Sequence, residues 1–276
     1  MAEKIENPIV LQRADPFVYR HTDGYYYFTG SYPLYDRIVL RRAKHLNDLQ
    51  EAKEYEIWHK HPSGPLSELI WAPEIHRVNG KWYIYFAAAP DTNINDDTFN
   101  HRIFVLENAS DNPLEGNWEE KGEVKTGMDT FSLDSTTFMH NGDQYLVWAQ
   151  QDINIKGHSN IYIARMESPW TLATKPVMLS KPEFPWEIKG FWVNEGPAVL
   201  MGHGKVFITY SASATGVEYC MGLLTAPLDA DLLNPNVWKK SKEPVFQSCE
   251  ENSQYGPGHN SFTVSEDGKD TIMIYH

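Results

Sequence analysis

"DPFVYRHTDGYYYFTGS", residues 15–31, sets an acid before a proline, crosses a short apolar stretch to Asp23-Gly24, and ends in an alternating aromatic run. Asp-Gly between two strand-like runs signals a hairpin, because a tight turn of the favoured hand needs positive φ. The same grammar returns four times: "APEIHRVNGKWYIYFAAA" from Ala72, "DSTTFMHNGDQYLVWAQ" from Asp134, "EGPAVLMGHGKVFITYSAS" from Glu195 and "HNSFTVSEDGKDTIMIYH" from His259. Its turns are Asn79-Gly80, Asn141-Gly142, His203-Gly204 and Asp267-Gly268. The five openings lie roughly 60 residues apart, and a unit recurring at such an interval means an array of similar sheets.

Weaker alternating stretches follow the hairpins, at 37–43, 101–108, 160–166 and 219–227. A unit then holds about four antiparallel strands, which is the size of one propeller blade. The spacing predicts an all-β protein, a single five-bladed β-propeller domain over residues 1–276. A sandwich with coincidental spacing is the rival. One short helix is expected within 46–55. The fifth unit is short, since the chain stops at His276. Either the chain is truncated or the last blade is incomplete, and the residues before Asp15 are candidates for a strand that closes the ring.

A net charge of −13 disfavours nucleic acid and anionic membrane surfaces, which attract basic patches. No apolar run is long enough to span a bilayer. Cys220 and Cys249 show neither metal-type spacing nor a disulfide framework. "MAEKIENPIV" lacks the apolar core of a leader, so a cytoplasmic location is expected.

In a propeller the innermost strands start at a central channel, so equivalent positions converge there. Asp15, Ala72, Asp134, Glu195 and His259 open the five units, and three of them are acids at one phase of the repeat. Singly, each acid reads as a strand-start or loop carboxylate. Together they predict carboxyls crowded around one space, where like charges raise one another's pKa. Two carboxyls flanking a bound molecule are the equipment for cleaving a glycosidic bond. The abundant aromatics fit a sugar, with Trp71 and Trp192 as candidate stacking platforms and Phe28, Tyr32 and Phe131 as weaker ones. His259 reads either as a packed core histidine or as a ligand, direct or through water, for a hard cation such as calcium. No cofactor is needed for the chemistry itself.

These motifs, with "IWAPEIH", "SLDSTTF", "GFWVNEGPAVL" and "YGPGHNSF", resemble glycoside hydrolase family 43, most closely its α-L-arabinofuranosidases. The resemblance implies a five-bladed propeller and hydrolysis with inversion. It implies Asp15 as general base, Asp134 as the residue that tunes and orients the acid, and Glu195 as general acid. It further implies Trp71 in the sugar pocket and His259 on a central ion or ordered water. Similar proteins continue past the position of His276 and bring an arginine-containing segment to the pocket, a contact this sequence lacks. The expected partner is an arabinose- or xylose-containing oligosaccharide. A β-xylosidase or endo-arabinanase of the same group, a non-catalytic sugar-binding propeller and a WD-type scaffold are the alternatives. The last has a shorter repeat and a Trp-Asp signature that is missing here.

Overall fold

A computed structural model describes residues 4–276; residues 1–3, the start of the segment read for a leader, lie outside it. Strands dominate. The first sheet runs β1 (Ala14–Arg20), β2 (Tyr26–Ser31), β3 (Arg37–Ala43) and β4 (Tyr55–His59), each pairing with the next. The second holds β5 (Glu68–Val78) and β6 (Lys81–Ala89). A small hairpin, β7 (Ile94–Asn95) with β8 (Thr98–Phe99), then interrupts before β9 (Arg102–Asn108) and β10 (Glu119–Glu123) complete the sheet in the order β5-β6-β9-β10. In the third, β11 (Ser132–His140) and β12 (Asp143–Gln150) lead to β13 (Asn160–Ser168), which pairs with both β14 (Thr171–Leu172) and β15 (Val177–Ser180). The fourth is β16 (Asn194–Gly202), β17 (Lys205–Ala212), β18 (Cys220–Pro227) and β19 (Lys239–Lys240). Last comes a two-stranded sheet, β20 (Ser261–Val264) with β21 (Thr271–Ile274).

The arrangement is an all-β propeller, but four sheets reach blade size, not the expected five. The repeat in the sequence is real; what the fifth unit lacks is the outer pair of strands. Its hairpin still packs on both neighbours. Thr209 Oγ1 donates to Asn260 Oδ1 at 2.7 Å, Ser261 Oγ to Pro16 O at 2.8 Å, and Tyr26 OH to Val264 O at 2.9 Å. The described residues before Ala14 add no strand. Ile5, Ile9 and Val10 instead pack against the core between the first sheet and the last hairpin. The expected helix at 46–55 is a single 3-10 turn, Leu46–Leu49, because Tyr55 already starts β4.

Alternation along each strand divides its side chains between two neighbouring cores. On β2, Tyr27 faces the second sheet and joins Ile38, Ile75 and Trp82, whereas Tyr26 and Phe28 face the last hairpin and meet Ile274. Trp148 and Tyr162 fill the layer between sheets two and three; Val147, Ile163 and Tyr210 fill the next. Asn79-Gly80, Asn141-Gly142 and His203-Gly204 form the two-residue turns read from the sequence, with φ positive at all six positions.

Candidate active site

One backbone irregularity recurs at the start of every complete sheet. The ladder slips between Ala14 and Phe17, between Trp71 and Glu74, between Leu133 and Thr136, and between Glu195 and Ala198. Each slip is a bulge whose first extra residue is left-handed: Asp15 at φ 54°, Ala72 at 47°, Asp134 at 51° and Gly196 at 52°. Such a bulge bends the strand and re-aims a side chain. For a residue other than glycine that backbone costs about 1–3 kcal/mol, a strain that clusters at functional sites. His259, at φ 39°, takes the same place before β20.

This register corrects the sequence reading. Glu195 is not the counterpart of Asp15, Ala72, Asp134 and His259; Gly196 is. Glu195 stands one residue earlier, level with Ala14, Trp71 and Leu133. Two of five left-handed positions are acidic, not three. Glycine suits the fourth, because a Cβ there would lie 3.0 Å from the His259 ring and crowd it. The three acids still meet, in two adjacent tiers rather than one.

They line one cavity of about 660 Å³, in the usual range for a small-molecule site. Asp15, Asp134, Glu195 and His259 form its floor, with Trp71, Phe131 and Phe191 among the aromatic walls. Asp97, Thr98 and Phe99, at the β7–β8 hairpin, also line it. Trp71 is held by His101, its ring centroid 4.3 Å away, and by Phe99 and Tyr35 edge-on at 5.5 and 5.7 Å.

The acids differ in company. Asp15 receives a short hydrogen bond from Ser31 Oγ, and its Oδ1 lies 3.0 Å from His259 Nδ1. Burial alone would raise its pKa, but the His259 imidazolium, with the Ser31 hydroxyl donor, holds it well below the usual carboxylate range. His259 answers in the opposite sense. Burial presses it down, yet Asp15 and Asp134 hold it protonated, far above an ordinary histidine. Asp134 accepts from the Gly196 N–H at 3.0 Å; burial and the Asp15 charge outweigh the pull of His259 and raise it to about 6. Glu195 is raised to about 8, first by burial and then by the negative charge of Asp134, against the lowering effect of the Tyr219 hydroxyl that donates to it at 2.8 Å.

Residues 5–276 match the sequence profile of Glycosyl hydrolases family 43. The chain belongs to that family. It is 52% identical over 271 residues to an extracellular exo-α-(1→5)-L-arabinofuranosidase of Streptomyces chartreusis, covering 98% of this chain and 81% of that protein. It is 53% identical over 270 residues to a protein of the same name from Streptomyces avermitilis, covering 98% of this chain but 55% of the relative's length. A crystal structure of α-L-arabinofuranosidase from Lactobacillus brevis superposes with a TM-score of 0.96 at 56% identity, over 98% of this chain and 85% of that one. Family 43 thus supplies a glycosidase frame for the cavity.

The comparisons overturn the cytoplasmic assignment, since both Streptomyces relatives are named extracellular. That expectation rested on a missing leader and on cysteines without a disulfide framework. Neither property reports a compartment, because leaders are removed from mature chains and a buried thiol such as Cys220 is inert.

Several expected binding residues are placed elsewhere. Phe28 is buried in the core between β2 and the last hairpin, on the face that alternation gives it, and does not reach the cavity. Trp192 lies beneath the Lys156 ammonium, 4.0 Å from its ring centroid, and does not line the cavity; its neighbour Phe191 lines it instead, stacked on His158. Tyr32 lies between the guanidinium groups of Arg13 and Arg37. Among the described residues, no group of three or more His, Cys, Asp or Glu is arranged to hold a metal ion. His259 places its Nδ1 3.0 Å from Asp15 Oδ1. Tyr219 and His276 went unread as site residues. Tyr219 stood at the edge of a weak strand, and His276 at the end of the short fifth unit.

Proposed function

We propose that the protein is an inverting α-L-arabinofuranosidase that releases terminal arabinofuranose from arabinose-containing oligosaccharides. The observation that carries this reading is the split between two carboxyls in one cavity: Asp15 held ionised and Glu195 held protonated near neutral pH. The names of the relatives support the sugar.

In this mechanism the terminal furanose lies against Trp71, above Asp15. Asp15 takes a proton from a water on one face of the ring. The water oxygen bonds to the anomeric carbon as the bond to the leaving oxygen breaks, and Glu195 gives its proton to that oxygen. Asp134 keeps Glu195 protonated by its charge and holds the β16 bulge through the Gly196 amide. Asp15 then loses its proton to solvent and Glu195 regains one, which restores the starting state.

Action at a chain end is supported by the names of the two Streptomyces relatives, both exo-acting arabinofuranosidases. We read β20–β21 as the inner half of a fifth blade, supported by the left-handed His259 at the same phase as the other four bulges. Proton NMR of the first sugar released from an aryl α-L-arabinofuranoside tests the reaction. The β-anomer must appear first; initial release of the α-anomer overturns inversion. An aryl β-D-xylopyranoside assayed beside it distinguishes the xylosidase alternative.

A further inference from the structure

Each sheet repeats one pairing beside the site. The residue before the left-handed one faces a residue near the end of the second strand: Ala14 faces Ser31, Trp71 faces Ala87, Leu133 faces Ala149, and Glu195 faces Ser211. In the last hairpin, Gly258 and His276 occupy that place and exchange both backbone hydrogen bonds, at 3.0 and 3.2 Å. The two serines reach sideways. Ser31 Oγ accepts from the Ala72 N–H at 2.9 Å, and Ser211 Oγ accepts from the His259 N–H at 2.7 Å. Each donor is the left-handed residue of the following sheet. His276 Nδ1 accepts from the Asp15 N–H at 2.8 Å. The step from the last hairpin back to the first sheet is therefore the same step, with imidazole in place of hydroxyl. Ala87 and Ala149 offer no acceptor, and the Gly196 amide turns to the Asp134 carboxylate instead.

We propose that His276 is a positioning residue for the general base, its Nδ1 lone pair seating the backbone amide of Asp15. This rests on the reading of Asp15 as base. A left-handed residue stores strain, and a hydrogen bond to its amide helps hold it in place. The seat therefore fixes where the Asp15 carboxylate aims. The His276 ring lies parallel to Tyr219, within 5° at 6.1 Å, and tilted over His259 at 6.1 Å. Its Nδ1 is 3.8 Å from Asp15 Oδ1. Burial presses the imidazole below its ordinary pKa against the pull of Asp15, and the neighbouring His259 charge adds to that pressure, so Nδ1 is free to accept. Tyr219 in turn holds Glu195, and one aromatic stack steadies both carboxyls.

Two variants of the full chain separate the acceptor from the packing. His276→Phe keeps a ring against Tyr219 and removes the acceptor; His276→Ser discards the ring and installs the hydroxyl that serves in the first and fourth sheets. Amide hydrogen exchange at Asp15 should quicken about tenfold in His276→Phe, the worth of one ordinary hydrogen bond, and return to within about threefold of wild type in His276→Ser. On an aryl arabinofuranoside, kcat should fall about tenfold in His276→Phe with KM within twofold, and His276→Ser should recover most of it. Unchanged exchange in His276→Phe, or a serine variant no better than the phenylalanine one in either readout, overturns the proposal. Wild-type protein that turns over no arabinofuranoside overturns the functional reading instead, while the exchange readout still decides the seat.

Discussion

Asp15 and Glu195 share a cavity and are driven in opposite directions. Both are desolvated, so burial pushes each towards the neutral form. What separates them is the second neighbour. Asp15 meets an imidazolium and a hydroxyl donor, which overcome burial. Glu195 meets a phenol and, through space, another carboxylate, which leaves burial in command. The lesson is that burial alone assigns no role; the charge next door decides whether a buried carboxyl serves as base or as acid.

Removing one partner at a time breaks this comparison. Asp15→Asn should cost about 10⁴-fold in kcat on oligosaccharide and aryl substrates alike, because both need an activated water. Steady-state rates within tenfold of wild type would remove Asp15 from the base role. Glu195→Gln should cost about 10³-fold on an arabino-oligosaccharide but about tenfold on an aryl glycoside whose leaving group needs no proton. Equal losses on the two substrates would contradict the acid role.

Smaller changes sharpen it. Asp134→Asn removes the charge that holds the Glu195 proton while keeping an acceptor for the Gly196 amide. The alkaline limb of kcat/KM, expected near 8, should move to lower pH. Tyr219→Phe removes a donor to the ionised form of Glu195, so that limb should move to higher pH, with kcat changed about threefold. A pH–rate profile that shifts the same way in both variants would undo the electrostatic account. Stability has a sign of its own. The folded pKa of Glu195 lies above its unfolded value of 4.5, so the folded state binds the extra proton between the two and stability falls as pH rises through that window. Glu195→Gln should therefore gain in thermal midpoint over wild type from pH 5 to pH 8. A constant difference would argue against a raised pKa.

Much of this was legible in the sequence. The Asn-Gly and His-Gly turns declared the hairpins, and the even spacing declared the array. Asp15, Asp134, Glu195 and Trp71 were placed at strand openings, and the fold brings all four to the cavity. The one-residue offset of Glu195 was not legible, because a bulge changes register without changing the spacing of the motifs. Gly196 carried the only hint, being the one glycine at a phase otherwise held by residues with side chains. Phe28 was misplaced because nothing in an all-aromatic run says which face of the strand looks to the channel. Trp192 was one residue away from Phe191, and a loop has no period to choose between them. His276 acts on Asp15, 261 residues away in the chain, and Tyr219 on Glu195 across the width of one sheet, and short-range patterns do not record such contacts.

The most direct test is a titration of the Glu195 side-chain carboxyl by carbon-13 NMR in the intact protein, with Glu195→Gln to assign the signal. The account predicts a carboxyl that is protonated at pH 7 and titrates near 8. A signal already ionised at pH 7, titrating in the range of an ordinary glutamate, would contradict it.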